Sequence, residues 1–114
     1  MKVIIAGGRD CHPTPGDVEK AIRESKFVPT EIVHGGCIGV DRCAGEYGKS
    51  MGYQVTEMKA EWNRYASSAG PIRNRKMAIY ADALIAIWDG QSRGTKNMIE
   101  TMKAQKKPVF VYRY

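Results

Sequence analysis

The chain has 114 residues, 43% of them hydrophobic and 26% charged, with a formal net charge of +6. That length suits one domain, spanning residues 1–114, and is short for two; the composition is that of a globular domain, and no apolar run approaches the roughly 20 residues of a membrane span. The charge is uneven: residues 1–57 hold 7 basic and 8 acidic side chains while residues 58–114 hold 11 and 4, so the second half favours anionic partners, nucleotide or nucleic acid.

Lys2-Val3-Ile4-Ile5-Ala6 is a short apolar run ending in Gly7-Gly8, the pattern of a buried parallel strand. Thr14-Pro15-Gly16-Asp17 opens a helix, with Thr14 as N-cap, Pro15 at the first position and Val18, Ala21 and Ile22 on its apolar face. Ile32-Val33 is the second strand. Val40 to Met51 is the second helix, with Asp41 near its start and Gly52 at its end. Tyr53 to Met58 is the third strand, and residues 59–69 form a polar connection containing Trp62 and Tyr65. Pro71 to Ala81 is a helix, Ala83 to Trp88 a strand, Arg93 to Gln105 a helix, and Pro108 to Tyr112 the last strand. This strict alternation predicts a Rossmann-like α/β fold of three layers, α/β/α, around a five-stranded parallel sheet. An apolar strand so close to the N-terminus leaves no signal-peptide layout, and the expected location is cytoplasmic.

In such a fold ligands bind beyond the carboxyl ends of the strands. Four glycine-bearing segments fall there: Gly7-Gly8-Arg9-Asp10, His34-Gly35-Gly36-Cys37-Ile38-Gly39-Val40-Asp41, Gly70-Pro71-Ile72-Arg73-Asn74-Arg75, and Asp89-Gly90-Gln91-Ser92-Arg93-Gly94-Thr95. The second runs from a strand through a glycine turn into a helix, an arrangement that aims backbone N–H groups and a helix dipole at an anion. Glycine at Gly36 would allow close approach of a phosphate. The spacing G-G-x-x-G-x-D is neither the dinucleotide nor the P-loop pattern.

Arg73, Arg75 and Lys76, and again Arg93 and Lys96, sit in first helical turns, where the dipole disfavours cations. A bound anion would reverse that cost; the alternative is that these side chains extend into water or pair with Asp10, Asp41, Asp89 or Glu100. Lys103, Lys106 and Lys107, by contrast, suit the C-terminus of the last helix. Asp41 reads either as a helix cap or as an acceptor for ribose hydroxyls. Trp62 is a candidate to stack on a base, whereas Trp88, at a strand end, reads as core. Cys11, Cys37 and Cys43 cannot all pair, no C-x-x-C occurs and only His12 and His34 are present, so free thiols and no metal site are expected.

The series Gly7-Gly8-Arg9, Gly35-Gly36-Cys37-Ile38-Gly39-Val40-Asp41, Trp62-Asn63-Arg64-Tyr65, Gly70 to Arg75, and Trp88-Asp89-Gly90 through Gly94-Thr95-Lys96-Asn97 resembles the small YspA/YpsA-related group of the SLOG superfamily. That group occurs in bacteria and phages, and the superfamily includes the DNA-processing protein A and Lonely Guy families. The resemblance implies binding of a nucleotide or nucleotide-derived ligand, with the Gly35 loop and Gly94-Thr95 at phosphate and ribose. The implied partner is that small molecule, with single-stranded DNA less favoured, no membrane, and self-association common among such domains. No cofactor beyond such a ligand is implied. A Lonely Guy-like phosphoribohydrolase is the enzymatic alternative, with Arg73 or Arg75 on phosphate and Asp41, Asp89 or Glu100 as the carboxylate. Lonely Guy enzymes carry P-G-G-x-G-T-x-x-E; here Glu100 comes two residues late, about 200° further round the helix.

Overall fold

The computed structural model describes residues 1–114. The apolar runs form the strands β1 (Lys2–Gly7), β2 (Glu31–His34), β3 (Gln54–Glu57), β4 (Ala83–Trp88) and β5 (Val109–Arg113). They make one parallel sheet in the order β3-β2-β1-β4-β5. Alternation along β1 sends Val3 and Ile5 to one face and Ile4 and Ala6 to the other. The first face is covered by α1 (Pro15–Ser25) and α2 (Val40–Ser50) through Val18, Ala21, Val40 and Ala44. The second is covered by α4 (Ala69–Tyr80) and α5 (Arg93–Ala104) through Met77, Ala78, Met98 and Met102. The central strands are therefore buried on both sides, which is why β4 reads as an unbroken apolar run with Ala83 to Ile87 wholly inaccessible. The architecture is the expected Rossmann-like α/β fold. No helix is long and apolar enough to cross a membrane.

Thr14 caps α1 as its position predicts: its hydroxyl accepts from the Asp17 N–H at 3.1 Å, and the Asp17 carboxylate accepts from the Thr14 N–H at 2.9 Å. Several expected boundaries move. The connection at 59–69 contains a short helix, α3 (Trp62–Tyr65), and a 3-10 turn at Ala66–Ser68. The following helix starts at Ala69, ahead of Pro71. Proline is tolerated there because the first four N–H groups of a helix have no intrahelical acceptor. The third strand is shorter than its apolar run, Gln54–Glu57, because β2 supplies only four residues to pair with it.

Lys107 also departs from expectation. Its ammonium does not serve its own helix but the end of α4, donating to the carbonyls of Ala78 and Ala81 at 2.7 Å each and of Ile79 at 3.2 Å. These are the acceptors left over where a helix ends, and the dipole there favours a cation. Replacing Lys107 with Met should cost about 1.5–3 kcal/mol in urea unfolding, the range for charged hydrogen bonds. Lys106→Met, at an exposed neighbour, should change stability by no more than about 0.5 kcal/mol.

Candidate functional site

The chain leaves β1 toward β2 on one side of the sheet and returns through β4 on the other, so a crevice opens beyond the carboxyl ends of β1 and β4. A cleft of about 410 Å³ lies there. Its walls come from the end of β1 (Ala6, Gly7), from Arg9, Cys37 and Asp41, from Trp62 on α3, from Gly70, Pro71, Arg73, Asn74 and Met77 on α4, and from Ser92 to Thr95, Asn97 and Met98 at the start of α5.

The glycine turn forms one wall, and three of its amides are already engaged. Asp41 Oδ2 accepts from the Gly35 N–H at 3.2 Å and the Cys37 N–H at 3.4 Å. Gly36 N–H donates the other way, to His34 Nδ1 at 3.0 Å. Two N–H groups of the loop are thus taken by the protein's own carboxylate. Asp41 is not the helix cap. Gly39 holds that position, at φ 85° and without a side-chain bond, and Asp41 reaches back from the first turn to the loop. A Cβ at Gly39 would stand 2.5 Å from the Gly8 carbonyl oxygen and 2.6 Å from that of Arg9, so both backbone angle and space demand glycine.

Asp41 is only 5% exposed. Burial pushes its pKa up to about 6, against the pull of the Arg73 charge and the loop amides. Arg73 is fastened from two sides: Nη1 donates to the Gly35 carbonyl at 2.7 Å, and Nε to Asn74 Oδ1 at 3.0 Å. Asn74 is buried and in turn donates to the Gly94 carbonyl at 3.3 Å and to Asn97 Oδ1 at 2.9 Å. At the head of α5, Ser92 Oγ accepts from the Thr95 N–H at 3.4 Å and lies 3.0 Å from the Thr95 hydroxyl. Trp88 is half-buried, its indole donating to the Ser92 carbonyl at 3.2 Å, a structural role.

Of the residues singled out in the sequence, Gly7, Arg9, Asp41, Trp62, Arg73, Asn74, Arg93, Gly94 and Thr95 line this cleft. Gly8, Gly35 and Gly39 support it from behind as backbone. Gly36 faces a different depression, against the Glu57 side chain. A larger residue at Gly36 would therefore press on Glu57 rather than block the cleft. Arg75 is exposed and outside it, because two residues beyond Arg73 is about 200° further round the helix. Asp89 is outside too: its carboxylate accepts from the N–H groups of Gln91 at 2.8 Å and Ser92 at 3.1 Å, bonds that hold its pKa below the ordinary value. Glu100 is exposed and does not line the cleft. Sequence reasoning did not single out Met77, Met98 or Asn97 as site residues. The methionines carry the signature of any core position, and Asn97 that of any solvated one; Ser92 had a detectable signal, an N-cap residue just before the helix.

Because the folded pKa of Asp41 lies above its unfolded value near 4, the native state binds the extra proton. Its contribution to stability is full below pH 4 and is lost as pH rises to about 6. Asp41→Asn should remove that slope, up to about 3 kcal/mol across the interval. Urea unfolding at pH 4, 5, 6 and 7 for both proteins checks this; parallel curves would contradict it.

A search of curated proteins finds no match to the sequence. Among solved structures, the chain is similar to DNA processing protein A from Streptococcus pneumoniae, with a TM-score of 0.77 and 19% identity over 96% of this chain and 49% of that one. It is also similar to DNA processing protein A from Helicobacter pylori, described for its single-stranded DNA binding mode, with a TM-score of 0.70 and 22% identity over 97% and 64%. A third similar structure is TM1055, with a TM-score of 0.69 and 19% identity over 95% and 71%. Identities this low establish the shared fold alone, and the chain spans about half to two thirds of the length of the two DNA-processing proteins. The model of the YspA, cpYpsA-related SLOG family matches residues 1–65, from β1 through the glycine loop to the end of α3. The chain belongs to that family, a SLOG domain built on a Rossmann-like fold.

Proposed function

We propose that the cleft binds a nucleotide or nucleotide-derived ligand, such as a nucleoside monophosphate or a molecule like ADP-ribose or NAD, and that the domain acts as a sensor or binding module. The observation that carries this reading is a surplus of unpaired positive charge. Arg9, Arg73 and Arg93 line the cleft, yet the molecule's ion pairs, Lys20–Glu24, Lys59–Glu57 and Arg64–Glu61, all lie elsewhere. Guanidinium groups that make no ion pair with a carboxylate in a concave site suit phosphate oxygens. The same cleft has an apolar floor of Met77 and Met98 and an exposed indole, Trp62, on its rim. Charge at one place and a flat apolar surface at another match the two ends of a nucleotide. Asp41, the carboxylate of the cleft, offers an acceptor to a sugar hydroxyl.

A phosphoribohydrolase is less well supported. The helix position matching the glutamate of the Lonely Guy run is Met98, which is buried, while Glu100 stands in solvent. Single-stranded DNA is the second reading, favoured by the single-stranded DNA binding of the similar Helicobacter pylori protein and by the basic second half of the chain. The aromatics are too scattered to make a continuous stacking track.

Calorimetric titration with AMP, ADP-ribose and NAD near 0.15 M salt tests the proposal. One saturable site is expected for at least one of them. Arg93→Ala and Arg9→Ala, at exposed side chains with no hydrogen bonds to the protein, should each weaken it about tenfold while leaving the melting temperature in place. Trp62 emission should change on binding. Flat traces for all the ligands with folded protein would overturn the reading, and affinity that grows with oligonucleotide length would replace it with the DNA one. Arg73→Ala is a poorer probe, because Arg73 also anchors the Gly35 carbonyl.

A further inference from the structure

Behind the glycine loop lies a second depression, of about 310 Å³, walled by His34, Arg42, Glu46, Lys49, Glu57 and Lys59 and by no apolar side chain. His34, at the end of β2, is 6% exposed. Its Nδ1 accepts the Gly36 N–H at 3.0 Å, so the neutral ring carries its proton on Nε2. That Nε2–H has no acceptor in the protein. It lies against Gly45, where a Cβ would come within 2.7 Å of it. No fully buried side-chain nitrogen or oxygen in the molecule lacks a partner, so the unpartnered Nε2 reaches open space, and the space it adjoins is this depression. Burial lowers the His34 pKa, with Glu57 opposing it and Lys49 and Arg73 adding to it, so the neutral ring is favoured.

The charges around it are only partly matched. Lys59 is paired with Glu57 at 3.4 Å, whereas Arg42, Lys49 and Glu46 make no ion pair. Two unpaired cations, one unpaired carboxylate and a buried N–H donor thus share the lining of this depression. A metal cation does not fit, because one ring nitrogen is occupied by Gly36 and the other holds a proton. An apolar ligand does not fit a wall with no apolar side chain.

We infer that this depression is a binding site for a small oxyanion, a phosphate or carboxylate group, held by the Nε2–H of His34 with Arg42 and Lys49 supplying the charge. It is separate from the cleft: Gly36 N–H turns to His34, while the flanking Gly35 and Cys37 N–H groups turn to Asp41.

The test is an NMR titration of the full chain at pH 7 with inorganic phosphate and, separately, acetate, read at the imidazole nitrogens. The chain has only two histidines, and exposed His12 serves as the internal control. The His34 Nε2 signal should be that of a protonated nitrogen and should shift saturably while His12 does not. Whichever anion acts at lower concentration identifies the group. Lys49→Gln should weaken the response about tenfold or more, and Arg93→Gln, in the cleft, should leave it unchanged. A proton found on Nδ1, a His34 shift no larger than that of His12, a response indifferent to both Lys49→Gln and Arg42→Gln, or one lost on Arg93→Gln would each overturn the inference. Neither His34, Arg42 nor Lys49 lines the cleft, so failure of nucleotide binding there does not decide this result.

Discussion

A buried carboxylate and the loop wrapped round it organise this molecule. Asp41 on α2 is held by the Gly35 and Cys37 amides, and those two bonds shape the turn that joins β2 to α2. The turn's outward carbonyl, at Gly35, then takes the Arg73 guanidinium from α4. One acid therefore links the two helical layers across the end of the sheet. Its cost is visible in its proton affinity: desolvation outweighs the amides and the nearby arginine, and the pKa moves up to about 6. With the Gly35, Gly36 and Cys37 amides turned to Asp41 and His34, the charged donors that line the cleft are the side chains of Arg9, Arg73 and Arg93.

The helices that carry those arginines are fixed at both ends. Near the cleft, Asn74 ties α4 to Gly94 and Asn97 of α5. At the far end, Lys107 clamps the last carbonyls of α4. A site between elements locked this way is preorganised, which lowers the ordering cost of binding. The exception is the Trp62–Ser68 segment. It buries no residue, and Ala66 sits at φ 50°, a region costly for a side chain. The wall that holds Trp62 is thus the one least supported by packing.

Membership in the YspA, cpYpsA-related family rests on residues 1–65, which contain the Asp41 loop, Arg9 and Trp62. The other half of the cleft, Arg73, Asn74, Arg93 and Thr95, lies beyond the matched region. A basic face assembled from α4 and α5 is placed against the family's loop by the parallel sheet, whose crossover brings β4 beside β1.

The sequence by itself determined the strand and helix alternation and the Thr14 cap, and it singled out several residues that line the cleft, because glycine spacing and cations at helix starts are local signals. It did not disclose that the Gly36 amide turns to His34, that Asp41 takes the Gly35 and Cys37 amides, or that Lys107 serves a helix other than its own. Nor did it separate Arg73 from Arg75, or show that Asp89 is consumed by its own turn. Those outcomes depend on which groups meet across the sheet ends, and a hydrogen bond between residues 38 apart, such as Arg73 to Gly35, leaves no periodicity in the chain. Local pattern decides what each segment can be; only packing decides which polar atoms are satisfied internally and which remain for a ligand.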